Sequence, residues 1–216
     1  MTYALIAANA AMFAYELARG AGFAGPDAEA MIALGGDFAP LTCGGQPWRL
    51  VTAMFLHFGV IHLGMNMVCL YQVRFVERML GRAEYLALYL ASGLVGGLVS
   101  LALHPLAVGA GASGAVFGMF GAFTGVLLVR RKRLDPQVWW RTMRSLGTFF
   151  GLNLVFGLSQ RGVDLAAHVG GLAAGFVGAT VLAKTASATS KPLLRAFLVL
   201  AAGAAVAFGG LFALPR

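Results

Sequence analysis

The chain has 216 residues, of which 59% are hydrophobic and 11% charged, with a formal net charge of +8. Soluble domains average about 45–50% apolar and about 25% charged residues. The charge present here cannot cover a water-facing surface, so a soluble globule and a disordered chain are both excluded. Apolar segments of about 20 residues span a bilayer, which leaves room for roughly six or seven of them and none for a second soluble domain.

Seven apolar stretches follow one another, at approximately 2–18, 50–72, 84–103, 113–129, 145–159, 165–183 and 193–214. The first lacks the basic start of a secretory signal and reads as a retained span. The connection 19–49 is too polar and glycine-broken to cross, and its apolar and aromatic residues place it in the membrane interface. The second stretch holds His57, His62 and Asn66. The spacing of four puts His62 and Asn66 on one helix face. The third carries Gly93 and Gly97, and the uncharged connection HPLAVGAGA at 104–112 is expected to dip into the bundle. The fourth opens at Ser113 in GAGASGAVFG and continues with the small-residue pairs Gly114/Gly118 and Gly121/Gly125. The fifth is short. The sixth follows Asp164 and carries His168 and then Gly171/Gly175. Such small-residue faces let helix backbones approach closely in lipid. Cys43 lies in a loop and Cys69 in an apolar stretch, which is no disulfide framework.

The +8 would raise nucleic-acid binding in a soluble protein, but here its distribution matters more. Arg74, Arg78 and Arg82 follow the second stretch. Arg130, Arg131, Lys132, Arg133, Arg141 and Arg144 follow the fourth, and Lys184, Lys191 and Arg195 surround the last connection. Only Arg19, Arg49, Arg161 and Arg216 fall on the other side. The positive-inside rule makes the first side cytoplasmic, with the N-terminus cytoplasmic and the C-terminus external. The charge is a topology signal, and nucleic acid is not an expected partner.

Stretches two, four and six then run from outside to inside. Each carries its polar residue within about its first three turns, so His62, Ser113 and His168 lie at similar depth and share a cavity open to the external side. A serine at a glycine-rich helix start with a histidine on another helix is the minimum for nucleophilic catalysis. Neutral imidazole takes the hydroxyl proton near pH 7. Gly111 and Gly114 allow close substrate approach, and the free N–H groups at the helix start, with His62 and Asn66, can donate to an oxyanion. Each motif alone has a plainer reading: a glycine-serine turn, a packing histidine, a tight bundle. The combination at one depth favours acyl transfer. His57 and His62 are five apart and no HExxH occurs, so no metal and no cofactor is expected. Asp164, four residues before His168, reads as a helix N-cap rather than the third member of a triad.

These motifs resemble the rhomboid family of intramembrane serine proteases. The resemblance covers roughly residues 46–178. It rests on Trp48-Arg49, HFGVIHLGMNM with His62 and Asn66, Glu77 to Gly81, GASG around Ser113, and AHVGG around His168. It implies an all-α polytopic helical bundle, a six-helix catalytic core at 1–184, and a cytoplasmic connection with one additional C-terminal transmembrane helix at 185–216. It implies Ser113 as nucleophile, His168 as general base, and an oxyanion hole of His62, Asn66 and the Ser113 N–H. Trp48 and Arg49 match the end of the family's interfacial loop, which points to a supporting, lipid-contacting role. Glu77 looks like a structural cap or ion-pair partner. Phe149, Phe150 and Phe156 would lie on the helix that forms the lateral gate. Phe117 stands where some members carry a tyrosine stacked on the catalytic histidine, so it keeps the ring face without the hydroxyl.

The expected activity is cleavage of single-span transmembrane proteins near the external face, in a bacterial plasma membrane. The alternative from another class is a non-catalytic rhomboid-like protein that binds transmembrane clients. The intact serine and histidine weigh against it. A small transporter with a histidine relay would need acidic residues or broken helices near the midplane.

Overall fold

The computed structural model describes residues 1–159, 163–186 and 191–214, without the side chains of 153, 154 and 156–159. Arg161, Arg216 and the Phe156 side chain therefore lie outside the described residues. The chain folds into α1 (Thr2–Ala18), α2 (Ala28–Leu34), α3 (Ala39–Thr42), α4 (Arg49–Thr52), α5 (Val60–Gln72), α6 (Phe75–Leu80), α7 (Arg82–Leu103), α8 (Ser113–Arg130), α9 (Pro136–Ser159), α10 (Leu165–Thr185) and α11 (Pro192–Leu211). Among the described residues there is no β-strand beyond a single bridge between Asp37 and Gly109. The fold is all-α.

Among the described residues, α7, α8, α10 and α11 are long and apolar enough to cross a membrane. A fifth crossing results if the bent pair Arg49–Phe55 and Val60–Leu80 counts as one span. The sequence predicts seven. Of the others, α1 has 17 residues, the short end of the spanning range. α9 starts at Pro136, well before the apolar stretch predicted at 145–159, and so includes Arg141 and Arg144. Asp135 allows that early start: its carboxylate accepts from Gln137 N–H at 2.8 Å and Val138 N–H at 3.2 Å, the N-cap arrangement. The molecular surface is apolar in the way lipid requires, with Ile61, Val68, Leu152, Val169 and Phe197 all more than half exposed.

The predicted stretch 50–72 is not one helix. α4 leads into a 3-10 turn at Ala53–Phe55, the chain extends at Leu56, and α5 leaves at 91°. Gly59 makes the corner with φ +94, where a Cβ would lie 2.5 Å from the Ala24 carbonyl oxygen. Freed backbone groups at the corner find tertiary partners. His57 N–H donates to Glu16 and Val60 N–H to the Phe23 carbonyl at 2.9 Å. A broken helix is tolerated at membrane depth only with such replacement partners.

Contact register fixes the helix directions. Met1 and Thr2 meet Glu77 while Glu16 meets His57, so α1 runs against α5. Gly111 meets His62, and the Phe75 and Phe123 rings sit 4.5 Å apart, so α5 and α8 run together. Phe120 stacks on Phe149 at 4.1 Å, while Arg131 lies over the Trp139 ring, so α9 runs against α8. Gly114 and Gly118 of α8 face Gly171 and Gly175 of α10, a parallel register. Ser92 faces Gly118, and Ser100 faces Asp164, so α7 runs against both. Glu84–Arg195 (3.2 Å), Ala91–Gly203 and Leu98–Gly210 set α11 parallel to α7. The longer helices α1, α5, α7, α8, α9, α10 and α11 alternate in direction along the chain.

Backbone proximity dominates the centre. A methyl at Gly171 would run into the Gly114 carbonyl, and one at Gly175 into the Gly118 carbonyl. The connections 19–48 and 104–112 brace each other. Asp37 N–H donates to Gly109 O (2.8 Å), and Gly109 N–H to Asp37 O (2.7 Å). Arg49, 6% exposed, donates to the Ile32 and Gly36 carbonyls at 2.7 and 2.8 Å and to Gln46 Oε1 at 2.7 Å. At the other end of the bundle Glu77 accepts from Thr2 N–H and Oγ1, both at 2.8 Å, and from the terminal ammonium at 2.5 Å.

Gly171→Ala and Gly175→Ala should each cost about 1–3 kcal/mol through overpacking against backbone. Gly147→Ala and Gly151→Ala, where a methyl meets nothing within 4 Å, should be neutral within about 0.5 kcal/mol. Thermal melts in detergent check this, and equal effects at both pairs would contradict it. Burial pushes the Asp37 carboxyl from 3.8 up to about 7, against the opposing Thr42 hydroxyl and Arg49. Between those values the folded protein keeps a proton that the unfolded chain has released, so Asp37 makes stability rise as pH falls from 7. Asp37→Asn should remove that part of the Tm difference between about pH 5.5 and about pH 8. An unchanged difference would contradict it.

Candidate active site

His62, Ser113 and His168 each occupy the first turn of their helices, α5, α8 and α10. These three helices run in the same direction, so their starts sit at one end of the bundle. Ser113 is the first residue of α8, and Ala112 supplies no side-chain cap. The first N–H groups of a helix lack intrahelical acceptors, so the Ser113 amide is an available donor. Gly111 adopts φ +132, a conformation that favours glycine, and its N–H donates to the Ala53 carbonyl at 2.8 Å. A Cβ there would lie 2.8 Å from His62 Cε1, 3.0 Å from His62 Nε2 and 3.8 Å from Ser113 Oγ. Gly111 is thus where the His62 ring and the Ser113 hydroxyl converge. Gly114 next to it faces the Ala167 carbonyl at 3.3 Å from its would-be Cβ, which brings α10 to the same point.

His168 is 9% exposed and lies flat on the Phe117 ring, with centroids 4.1 Å apart and planes 7° from parallel. Phe117 is one helical turn after Ser113, so it presents its ring beneath the serine on the same face of α8. It also touches Phe149 and Phe150 of α9, at 5.9 and 6.3 Å. The His168 Nδ1 is buried without a hydrogen-bond partner. Ser113 Oγ and His168 are not hydrogen-bonded to each other. Asp164 caps α10 by accepting from Ala167 N–H at 2.9 Å, and its second oxygen accepts from Ser100 Oγ at 2.5 Å. Its carboxylate is therefore committed to the cap and to α7.

Phe58 N–H donates to His62 Nδ1 at 3.3 Å. An imidazole nitrogen that accepts carries no proton, so neutral His62 holds its proton on Nε2, the atom beside Gly111. Asn66 is 5% exposed, and its Nδ2 donates to the His62 carbonyl at 3.0 Å, which occupies one of its two N–H groups. Trp48 is half-exposed, and Arg49 packs 4.9 Å from its ring while holding the first connection. Both stand outside the Ser113 convergence.

A cavity of about 40 Å³ adjoins the serine, lined among others by Asp37, Ser100, Gly111, Ser113, Asp164 and Ala167. That is room for about two waters or one short side chain. Asp37 and Ser100 were not singled out from sequence. Asp37 had only the signal of a carboxylate in an otherwise apolar connection, and Ser100 had none. Chemically, the Ser113 hydroxyl faces this small opening, while the stacked imidazole of His168 and the N–H donors of His62 and Asn66 stand at the same end of the bundle, outside its lining. Among the described residues no group of three or more His, Cys, Asp or Glu is placed to hold a metal.

Residues 44–185 match the Rhomboid domain. The chain is 37% identical over 189 residues to the rhomboid protease GluP of Bacillus subtilis, covering 85% of this chain and 36% of that protein. It is 35% identical over 167 residues to the mitochondrial RHOMBOID-like protein 6 of Arabidopsis thaliana, covering 76% and 53%. It is 32% identical over 158 residues to the rhomboid-like protease 3 of Toxoplasma gondii, covering 69% and 57%. The chain thus spans between about a third and just over half the length of these relatives. A match to most of the chain, carried by several apolar helices with Ser113, His62 and His168 at one end, has a single reading: the chain belongs to the rhomboid family.

Proposed function

We propose that the chain is an intramembrane serine endopeptidase that cuts transmembrane segments of membrane proteins near the external face. The observation that carries this reading is the convergence of Ser113 and His62 on Gly111, with His168 held flat by Phe117 across the glycine seam. In this mechanism His168 takes the Ser113 proton as Oγ attacks the scissile carbonyl. The negative charge that develops on oxygen is met by the Ser113 N–H, by the His62 Nε2–H and by Asn66. Protonated His168 then gives its proton to the leaving amine, and water deprotonated by His168 hydrolyses the acyl-enzyme. A helical carbonyl is already hydrogen-bonded, so the substrate unwinds at the cut. Helix-weakening residues there assist. The small cavity beside Ser113 favours a short side chain before the scissile bond.

The same reading takes residues 1–184 as a six-helix catalytic core and 185–216 as a connection plus a seventh helix. α1 and α9 then complete the crossings, the N-terminus is cytoplasmic and the membrane is a bacterial plasma membrane. The basic residues named above support that orientation. α11 packs on α7, away from the Phe149 and Phe150 face of α9, so it leaves free the side where a lateral gate would open. The absence of a direct Ser113–His168 hydrogen bond is a feature that a client-binding, non-catalytic member would share.

Purified Ser113→Ala and His168→Ala should keep the wild-type Tm within a few degrees and lose cleavage of a reconstituted transmembrane substrate by more than about a thousandfold. Wild-type levels of cleavage by either variant would overturn the assignment. A serine-reactive fluorophosphonate should label the wild type but not Ser113→Ala. No labelling of the wild type would favour the client-binding reading.

A further inference from the structure

We infer that Glu16, at the external end of α1, is a positioning residue that sets the tautomer of His62; its catalytic consequence rests on the protease reading above. Glu16 is fully buried, and its Oε1 accepts the backbone N–H of His57 at 3.0 Å. His57 sits in the break between the 3-10 turn and α5, where no helix supplies acceptors for the chain. The next amide, Phe58 N–H, donates to His62 Nδ1. Two consecutive N–H groups are therefore spoken for, the first by α1 and the second by the oxyanion-hole histidine. Fixing the first holds the Leu56–His57 peptide plane, which is joined through the His57 Cα to the next plane, the one that aims the second.

The ring of His57 completes the brace. Its Nδ1 lies 3.1 Å from the Phe55 carbonyl, an atom that only accepts, so Nδ1 carries the proton. The ring meets that of His62 edge-on, with centroids 5.3 Å apart. The Phe58 ring lies over the His62 ring itself, with centroids 6.4 Å apart and planes 19° from parallel. His62 thus has its Nδ1 held as an acceptor and its ring plane held by neighbours. Its Nε2–H is left to point past Gly111 toward Ser113. Without Glu16 the His57 amide is buried and unpaired, a penalty that the corner would relieve by turning. The Phe58 amide would turn with it, and His62 would no longer be held in the donating tautomer. Glu16 touches neither substrate nor reacting atoms, so its action is wholly through His57 and Phe58.

The test combines kinetics with imidazole ¹⁵N NMR on the full chain in detergent. Glu16→Gln retains an accepting oxygen and should stay within about threefold of wild type in kcat. Glu16→Leu should lower kcat about tenfold to a hundredfold with KM within about twofold, because a transition-state donor is being misdirected. In Glu16→Leu the His62 Nδ1 resonance should move away from the unprotonated-nitrogen position expected for wild type. An unchanged His62 spectrum, or wild-type kcat, in Glu16→Leu overturns the proposal. Should Glu16→Leu not fold, amide exchange in the wild type decides: slow exchange at both His57 and Phe58 supports it and fast exchange at either overturns it. Fluorophosphonate labelling of the wild type separates the two readings. Labelled wild type with an insensitive Glu16 position removes only the role of Glu16, whereas unlabelled wild type removes the protease reading and the kinetic consequence with it.

Discussion

The backbone contact between α8 and α10 is the constraint on which the rest of the molecule depends. Lipid is as apolar as any side chain, so helices in a bilayer are not driven together by burial and must gain by packing closely. Gly114, Gly118, Gly171 and Gly175 remove the side chains that would hold the two backbones apart. The parallel register this creates puts the two helix starts side by side. Ser113 is one residue ahead of the first glycine on α8, and His168 is one turn ahead of its counterpart on α10. The serine and histidine are neighbours because the glycines behind them are.

A tight seam alone would place the side chains without holding them. Phe117 holds His168 by its ring face, and the phenylalanines of α9 hold Phe117. Asp164 ties the start of α10 to Ser100 on α7. On the opposite side of the opening, regular secondary structure gives out between residues 56 and 59. There the chain is held by Glu16 from α1 and by the carbonyl of Phe23. The first connection is braced from within by Arg49 and joined by Asp37 to the connection that carries Gly111. Irregular backbone is costly at this depth unless each freed group finds a protein partner. The buried side chains of Glu16, Asp37 and Arg49 are those partners, or the anchors for them.

Much of this was readable from residue spacing. Glycines four apart on the third, fourth and sixth stretches indicated close helix packing, and the places of His62, Ser113 and His168 within the first turns of their stretches indicated a common depth. Asp164 ahead of an apolar helix indicated the cap that it forms. Local pattern reached no further. The break at Gly59 lies inside an apolar run, where hydropathy sees one span, and only the distant Glu16 and Phe23 explain why the chain can bend there. The start of α9 was hidden because its first half is charged and hydropathy registers only the second half. The Asp37–Gly109 bridge joins residues far apart in sequence, and Ser100 became a partner of Asp164 only through the antiparallel register of α7. Direction and depth were local properties. Partnership was not.

The central claim is that Ser113, His62 and the glycine turn between them form one oxyanion-stabilising unit. An experimental structure of the protein reacted with a peptidyl phosphonate tests it most directly. The account predicts phosphorus bonded to Ser113 Oγ, with one phosphoryl oxygen within hydrogen-bond distance of both the Ser113 amide and His62 Nε2. An adduct at another residue, or a phosphoryl oxygen turned away from His62, would contradict it.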